Sequence, residues 1–153
     1  MAILIPRRRL GAAVLALSLA FGPGLGQAAA TKPTDEVTDA PLSVLQKPEN
    51  LDRIGRDITF VFADAPGPIP QEGRLRSRKQ VRNSKNAQAD CEAALVLSLE
   101  GFAASARKHG ATRVINMRSF WGGYPTSSAQ TYKCARSKKM TSISLVGTLE
   151  GVK

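Results

Sequence analysis

Asn86 to Gly110, NAQADCEAALVLSLEGFAASARKHG, is the stretch whose reading decides the fold. Cys91, Leu95, Leu99, Phe102 and Ala106 recur at helical spacing and make one apolar stripe. Asn86 or Asp90 can cap its start, and Gly110 ends it after Arg107-Lys108-His109, cations suited to a helix C-terminus. Asp90 and Glu92 stand at the helix start, where the macrodipole favours acids, so neither needs a catalytic role.

Outward from this helix the pattern changes to short alternating runs. Downstream, Arg113 to Phe120 reads as a strand, Trp121 to Pro125 (WGGYP) as a turn and Ser127 to Cys134 as a strand; the basic turn Arg136 to Lys139 leads into a last strand, Met140 to Leu149. Upstream, Ile58 to Phe62 is rich in β-branched and aromatic residues, with Ile58, Phe60 and Phe62 on one face. Leu75 to Val81 is a weaker strand signal, and Ala65 to Pro70 (APGPIP) is a loop. The expectation is α+β: one amphipathic helix on a small, mostly antiparallel sheet of four to five strands, in the order β-(β)-α-β-β-β.

Prolines crowd the segment before that sheet, at Pro33, Pro41, Pro48, Pro66, Pro68 and Pro70, and are absent between Gln71 and Tyr124. Proline removes a backbone donor and fixes φ. Residues 31–50 therefore read as a flexible arm, with a short helical turn over Pro41 to Lys47, and residues 51–153 as a single α+β domain. Residues 1–30 read as a cleaved secretory signal peptide. Arg7-Arg8-Arg9 precede a twelve-residue apolar run, Leu10 to Phe21, then Gly22-Pro23-Gly24, and small residues run up to a cleavage point between Ala30 and Thr31. Twelve apolar residues fall short of the about twenty that a membrane span needs, so the mature protein is expected to lack a transmembrane segment and to be periplasmic or secreted.

The 153 residues carry 22 Lys+Arg against 12 Asp+Glu, a formal net charge of +10. Removing residues 1–30 takes three of those cations and none of the acids, leaving a net charge of +7. Two cysteines and one histidine exclude a Cys/His zinc finger and a multi-disulfide miniprotein. No glycine-rich phosphate loop ending in Gly-Lys-Ser/Thr is present, so ATP is not an expected ligand. No cofactor is implied.

Cys91, on the helix stripe, and Cys134, on a strand face with Tyr132, are expected to form a disulfide in an oxidising compartment. Loop closure would make it worth about 4 kcal/mol. Two buried thiols or a redox pair are the alternatives, although redox pairs are typically Cys-x-x-Cys at a helix start. Arg74 to Lys85 holds six cations and no acid. As a strand it sends Arg74, Arg76 and Arg78 to one face, which with Arg82, Lys133, Arg136, Lys138 and Lys139 could bind an anionic polymer or lipid headgroups. A charge-protected edge strand explains the same run, and the run has no interleaved aromatics to stack nucleic-acid bases. Phe120, Trp121 and Tyr124 form an aromatic turn that serves either as a contact surface or as cover for the sheet.

Several strings together resemble a known family: Ala89-Asp90-Cys91, His109-Gly110-Ala111, Val114 to Ser119, Tyr132-Lys133-Cys134 and Ile143 to Gly147. Residues 86–149 are similar to small exported bacterial proteins of unknown function that often carry the label of excinuclease ATPase subunit. The helix, the Gly-Ala turn and the paired cysteines more distantly resemble the folded domain of the Rcs envelope-stress sensor lipoprotein. The chain departs from the pattern at Ala135-Arg136, where the family tends to have glycine, and in having no lipid-acceptor cysteine. The resemblance implies a fold and an envelope location and transfers no catalytic residue. The leading functional expectation is a non-catalytic envelope binding or sensing module, its partner another protein or an anionic polymer. A hydrolase assembled from Ser119 or Ser128 with His109 is the alternative.

Overall fold

In the computed structural model, residues 35–62, 68–69 and 71–152 are described, and all belong to one compact unit. The signal segment, Ala30–Thr31, the first residues of the expected arm and most of the APGPIP loop lie outside them.

The helix falls where its stripe requires. Among the described residues it is the second of two α-helices: α1 is Pro48–Ile54 and α2 is Ala87–Lys108. The Asn86 side chain caps α2, accepting a bond from the Ala89 N–H at 3.1 Å. Asp90 instead accepts from the Ser84 N–H. At the other end Gly110 adopts φ +69°, the Ala111 N–H reaches the Ala106 carbonyl at 2.9 Å, and the Gly110 N–H reaches Arg107 at 3.2 Å. This paired bonding past a left-handed residue explains the glycine. All five stripe residues are buried, and Ala94, Val96, Ser98 and Ala103 widen the covered arc.

The sheet is larger than expected. It has seven strands, β1 (Glu36–Pro41), β2 (Thr59–Phe62), β3 (Arg74–Arg82), β4 (Arg113–Trp121), β5 (Tyr124–Thr126), β6 (Thr131–Arg136) and β7 (Met140–Leu149), in a curled, mixed arrangement. β7 is its spine. One edge of β7 pairs with β3 along its whole length, and the other pairs first with β6 and then with β4. β1 extends the sheet beyond β6, antiparallel, while β2 lies parallel to β4. The expected turn over Trp121 to Pro125 narrows to Gly122-Gly123, because Trp121 and Tyr124 pair across it as the first residues of a hairpin.

Residues 36–50 correct the reading of a flexible arm. Glu36–Pro41 is strand, Leu42–Gln46 is a 3-10 turn, and Ala40, Leu42 and Val44 join the same hydrophobic cluster as α2 and β7. The prolines sit where they do no harm: Pro41 is the last residue of β1, and Pro48 is the first of α1, where its missing N–H has no helical partner to lose.

β4 carries one extra residue relative to both neighbours, with register shifts between Phe60 and Phe62 on β2 and between Ile115 and Arg118 on β4 itself. Asn116, at φ +53°, is that residue, and asparagine tolerates the left-handed region better than its branched neighbours do. Beside the bulge runs Gly147 of β7, where an added Cβ would stand 3.0 Å from Val114 Cγ1 and 3.2 Å from Met117 Cγ. The bulge is followed by Phe120 and Trp121 at the end of β4, which β7 separates from β3.

Candidate functional site

β3 alternates as the basic run predicts. Leu75 and Val81 pack on the core, and Ser77 and Lys79 lie nearest Gly101 of α2. Arg74, Arg76, Arg78 and Arg82 therefore occupy the opposite face. Across β7 the register sets Arg74 against Thr148, Arg76 against Val146 and Arg78 against Ser144.

The two surfaces that sequence offered as rivals meet there. The Arg76 guanidinium carbon sits 4.2 Å from the centroid of the Phe120 ring, and that of Arg78 sits 5.7 Å from the centroid of Trp121. Both distances are within the range of cation–π attraction, which holds a guanidinium over a ring while leaving its edge N–H groups free to donate. Between these pairs and the Gly122-Gly123 turn is a cavity of about 230 Å³, with Ser144 also in its wall. Both glycines have positive φ, and nothing lies within 4 Å of a Cβ added to either, so the turn leaves the mouth open. Tyr124, 77% exposed, is beyond the cavity.

Ser144 is the residue that the sequence reading passed over. It is 3% exposed, and its Oγ has no hydrogen-bond partner in the protein. An unmet buried hydroxyl costs about 1–3 kcal/mol. The available signal was the period of β7: Ile143, Leu145 and Leu149 enter the core, so Ser142, Ser144 and Thr148 share the arginine face.

Other members of the proposed basic set separate from this group. Arg136 bonds Asp90 Oδ2 at 2.8 Å and the Ser84 carbonyl at 2.8 Å, and Lys133 bonds Asp39 at 2.8 Å. Lys138 and Lys139 lie in the β6–β7 turn, at the Arg82 end of the sheet. Among the described residues no carboxylate pairs with Arg74, Arg76, Arg78, Arg82, Lys138 or Lys139. The carboxylates of α2 and its surroundings are engaged elsewhere. Hydrogen bonds from Ser84 hold Asp90 below the ordinary carboxylate range, against its desolvation, with help from Arg136. Arg107 does the same for Asp57, bringing it to about 2. Burial pushes the Tyr132 hydroxyl up.

The cysteines are joined. Cys91 and Cys134 form a disulfide with a Cα–Cα separation of 5.9 Å, tying the first turn of α2 to β6 beside the Asp90–Arg136 pair. Of the residues offered for a hydrolase, Ser119 and Ser128 line one cavity of about 270 Å³ together with Asp39, Tyr132 and Lys133, while His109 is not among its lining residues. Ser119 Oγ accepts the Lys133 N–H at 2.8 Å, and Ser128 Oγ accepts the N–H groups of Gln130 and Thr131. His109 is exposed at the far end of α2, and among the described residues neither serine hydroxyl is hydrogen-bonded to it. The described residues contain no cluster of three His, Cys, Asp or Glu able to hold a metal ion, and no helix long and apolar enough to cross a membrane.

Neither a protein-family model, nor a curated protein, nor a solved structure matches the chain.

Proposed function

We propose that this protein is a non-catalytic binding module of the bacterial envelope whose working surface is the Arg76/Arg78–Phe120/Trp121 face, and whose partner is anionic. The observation that carries the reading is the pair of guanidinium groups seated on aromatic rings, with no carboxylate among the described residues paired to either, at the wall of an open cavity. Edge protection alone accounts for cations on β3, which pairs only with β7 among the described strands. It does not account for their seating on two rings donated by another strand.

The disulfide is compatible with an oxidising compartment, and the signal-like residues 1–30 and the resemblance to exported envelope proteins support the same location. The test is capture from envelope extract at low and high salt. Salt-sensitive capture of an anionic polymer or anionic surface, lost in Arg76→Ala/Arg78→Ala, supports the reading. Salt-resistant capture of one protein, unchanged in that variant, overturns it, as does turnover of an ester or nuclease substrate by the purified chain.

A further inference from the structure

Resting on that reading, we infer that the cavity takes a single phosphoryl ester headgroup, with Arg76 and Arg78 as its two charge partners and Ser144 as a third donor. The volume sets the scale. About 230 Å³ lies below the roughly 300–1,000 Å³ of pockets that enclose drug-sized ligands, and so suits one small headgroup.

The donors set the chemistry. One arginine fork meets both oxygens of a carboxylate and balances its single charge. Here two arginines rise from alternate residues of one strand face, their Cα atoms about 7 Å apart along β3, and both line one cavity. A phosphomonoester presents three terminal oxygens and a charge of about −1.5 to −2 near neutrality, matching two cations and a hydroxyl. Ser144 is a second, independent observation: the residue lines the cavity, and its Oγ, like the Oγ1 of Thr148 on the same face, is buried with no partner in the protein. A stacked nucleobase fits less well, since one face of each ring already carries a guanidinium. The open side at Gly122-Gly123 leaves an exit for the body of the ester.

Trp121 is the single tryptophan of the chain, so its fluorescence reports on this cavity alone. The full chain is titrated with glucose 6-phosphate, glucose, glucuronate and a sulfated polysaccharide. Glucose 6-phosphate should give a saturable change that glucose does not, that exceeds glucuronate at least tenfold in affinity, and that weakens from pH 7.5 to pH 5 as the ester gains a proton (pKa about 6). Ser144→Ala, checked as folded by its melting curve, should weaken it about tenfold, the loss of one bond to a charged group. Vesicles bearing a phosphorylated headgroup distinguish a surface source: capture displaced by glucose 6-phosphate supports the same pocket, and capture indifferent to it overturns the assignment. Equal binding of glucose or glucuronate, or wild-type affinity in Ser144→Ala, also overturns it. If the polysaccharide binds through Arg76 and Arg78 while glucose 6-phosphate neither binds nor competes, this inference fails and the wider reading stands. If neither binds, both fail.

Discussion

Gly147→Ala tests the packing that brings β4 and its aromatics to the arginine face. Gly147 has no positive φ, so alanine is acceptable to the backbone and the question is one of space. The new methyl would stand 3.0 Å from Val114 Cγ1 and 3.2 Å from Met117 Cγ, against the 3.5–4.0 Å of relaxed carbon contacts. Both neighbours are fully buried and flank the Asn116 bulge, which β2 and β7 hold from either side. Inserting a methyl into such a site costs about 1–3 kcal/mol. Removing glycine's freedom from the unfolded chain returns about 0.4–1 kcal/mol. The expected net loss is therefore about 1–2 kcal/mol, read as a lower urea midpoint at constant slope. Met117→Ala destabilises by itself but makes room, so the double variant should be less unstable than the two changes added, with a coupling of at least about 0.5 kcal/mol. A neutral Gly147→Ala, or strict additivity with Met117→Ala, would refute the register that sets Gly147 beside the bulge.

Cys134→Ala should lower stability by about 2–5 kcal/mol, with Cys91→Ala matching it, since either change releases α2 from β6; peptide mapping without reductant should find the two cysteine peptides linked, and free thiols in oxidised protein would contradict this. The Asp90 carboxyl is held below its ordinary value in the folded state, so the stability it contributes is complete above the unfolded pKa of about 3.9 and is lost as pH falls through the folded value. Asp90→Asn should therefore be less stable than wild type at pH 7, with the gap closing on acidification; urea midpoints across that range test this, and a constant gap would count against the bonds of the ionised Asp90 to Ser84 and Arg136.

Much of the frame was legible because each signal was local. The helical stripe from Cys91 to Ala106 needs only a 3.6-residue period, and Met140–Leu149 was bounded correctly by its alternation and the basic turn before it. The cysteine pair followed from two buried thiols in an oxidising setting. What was misread depended on partners far away in the chain. Residues 36–50 looked like an arm because Pro41 and Pro48 argue against interior structure, yet both occupy element boundaries, and β1 is strand because β6 offers it an edge. The bulge at Asn116 has no composition signal; it exists because β4 must follow β2 and β7 at once. The basic run and the aromatic turn were weighed as separate surfaces because only the pairing of β3 with β7, and of β7 with β4, puts Arg76 over Phe120.

The most direct measurement is the salt dependence of binding to a sulfated polysaccharide, wild type against Arg76→Ala/Arg78→Ala and against Lys138→Ala/Lys139→Ala. Each cation that neutralises a fixed anionic charge adds about one to the slope of log affinity against log salt. The account predicts that the Arg76/Arg78 variant loses affinity and about two from the slope, while the Lys138/Lys139 variant stays close to wild type. Unchanged affinity and slope without Arg76 and Arg78, or a loss confined to the lysine variant, would contradict it.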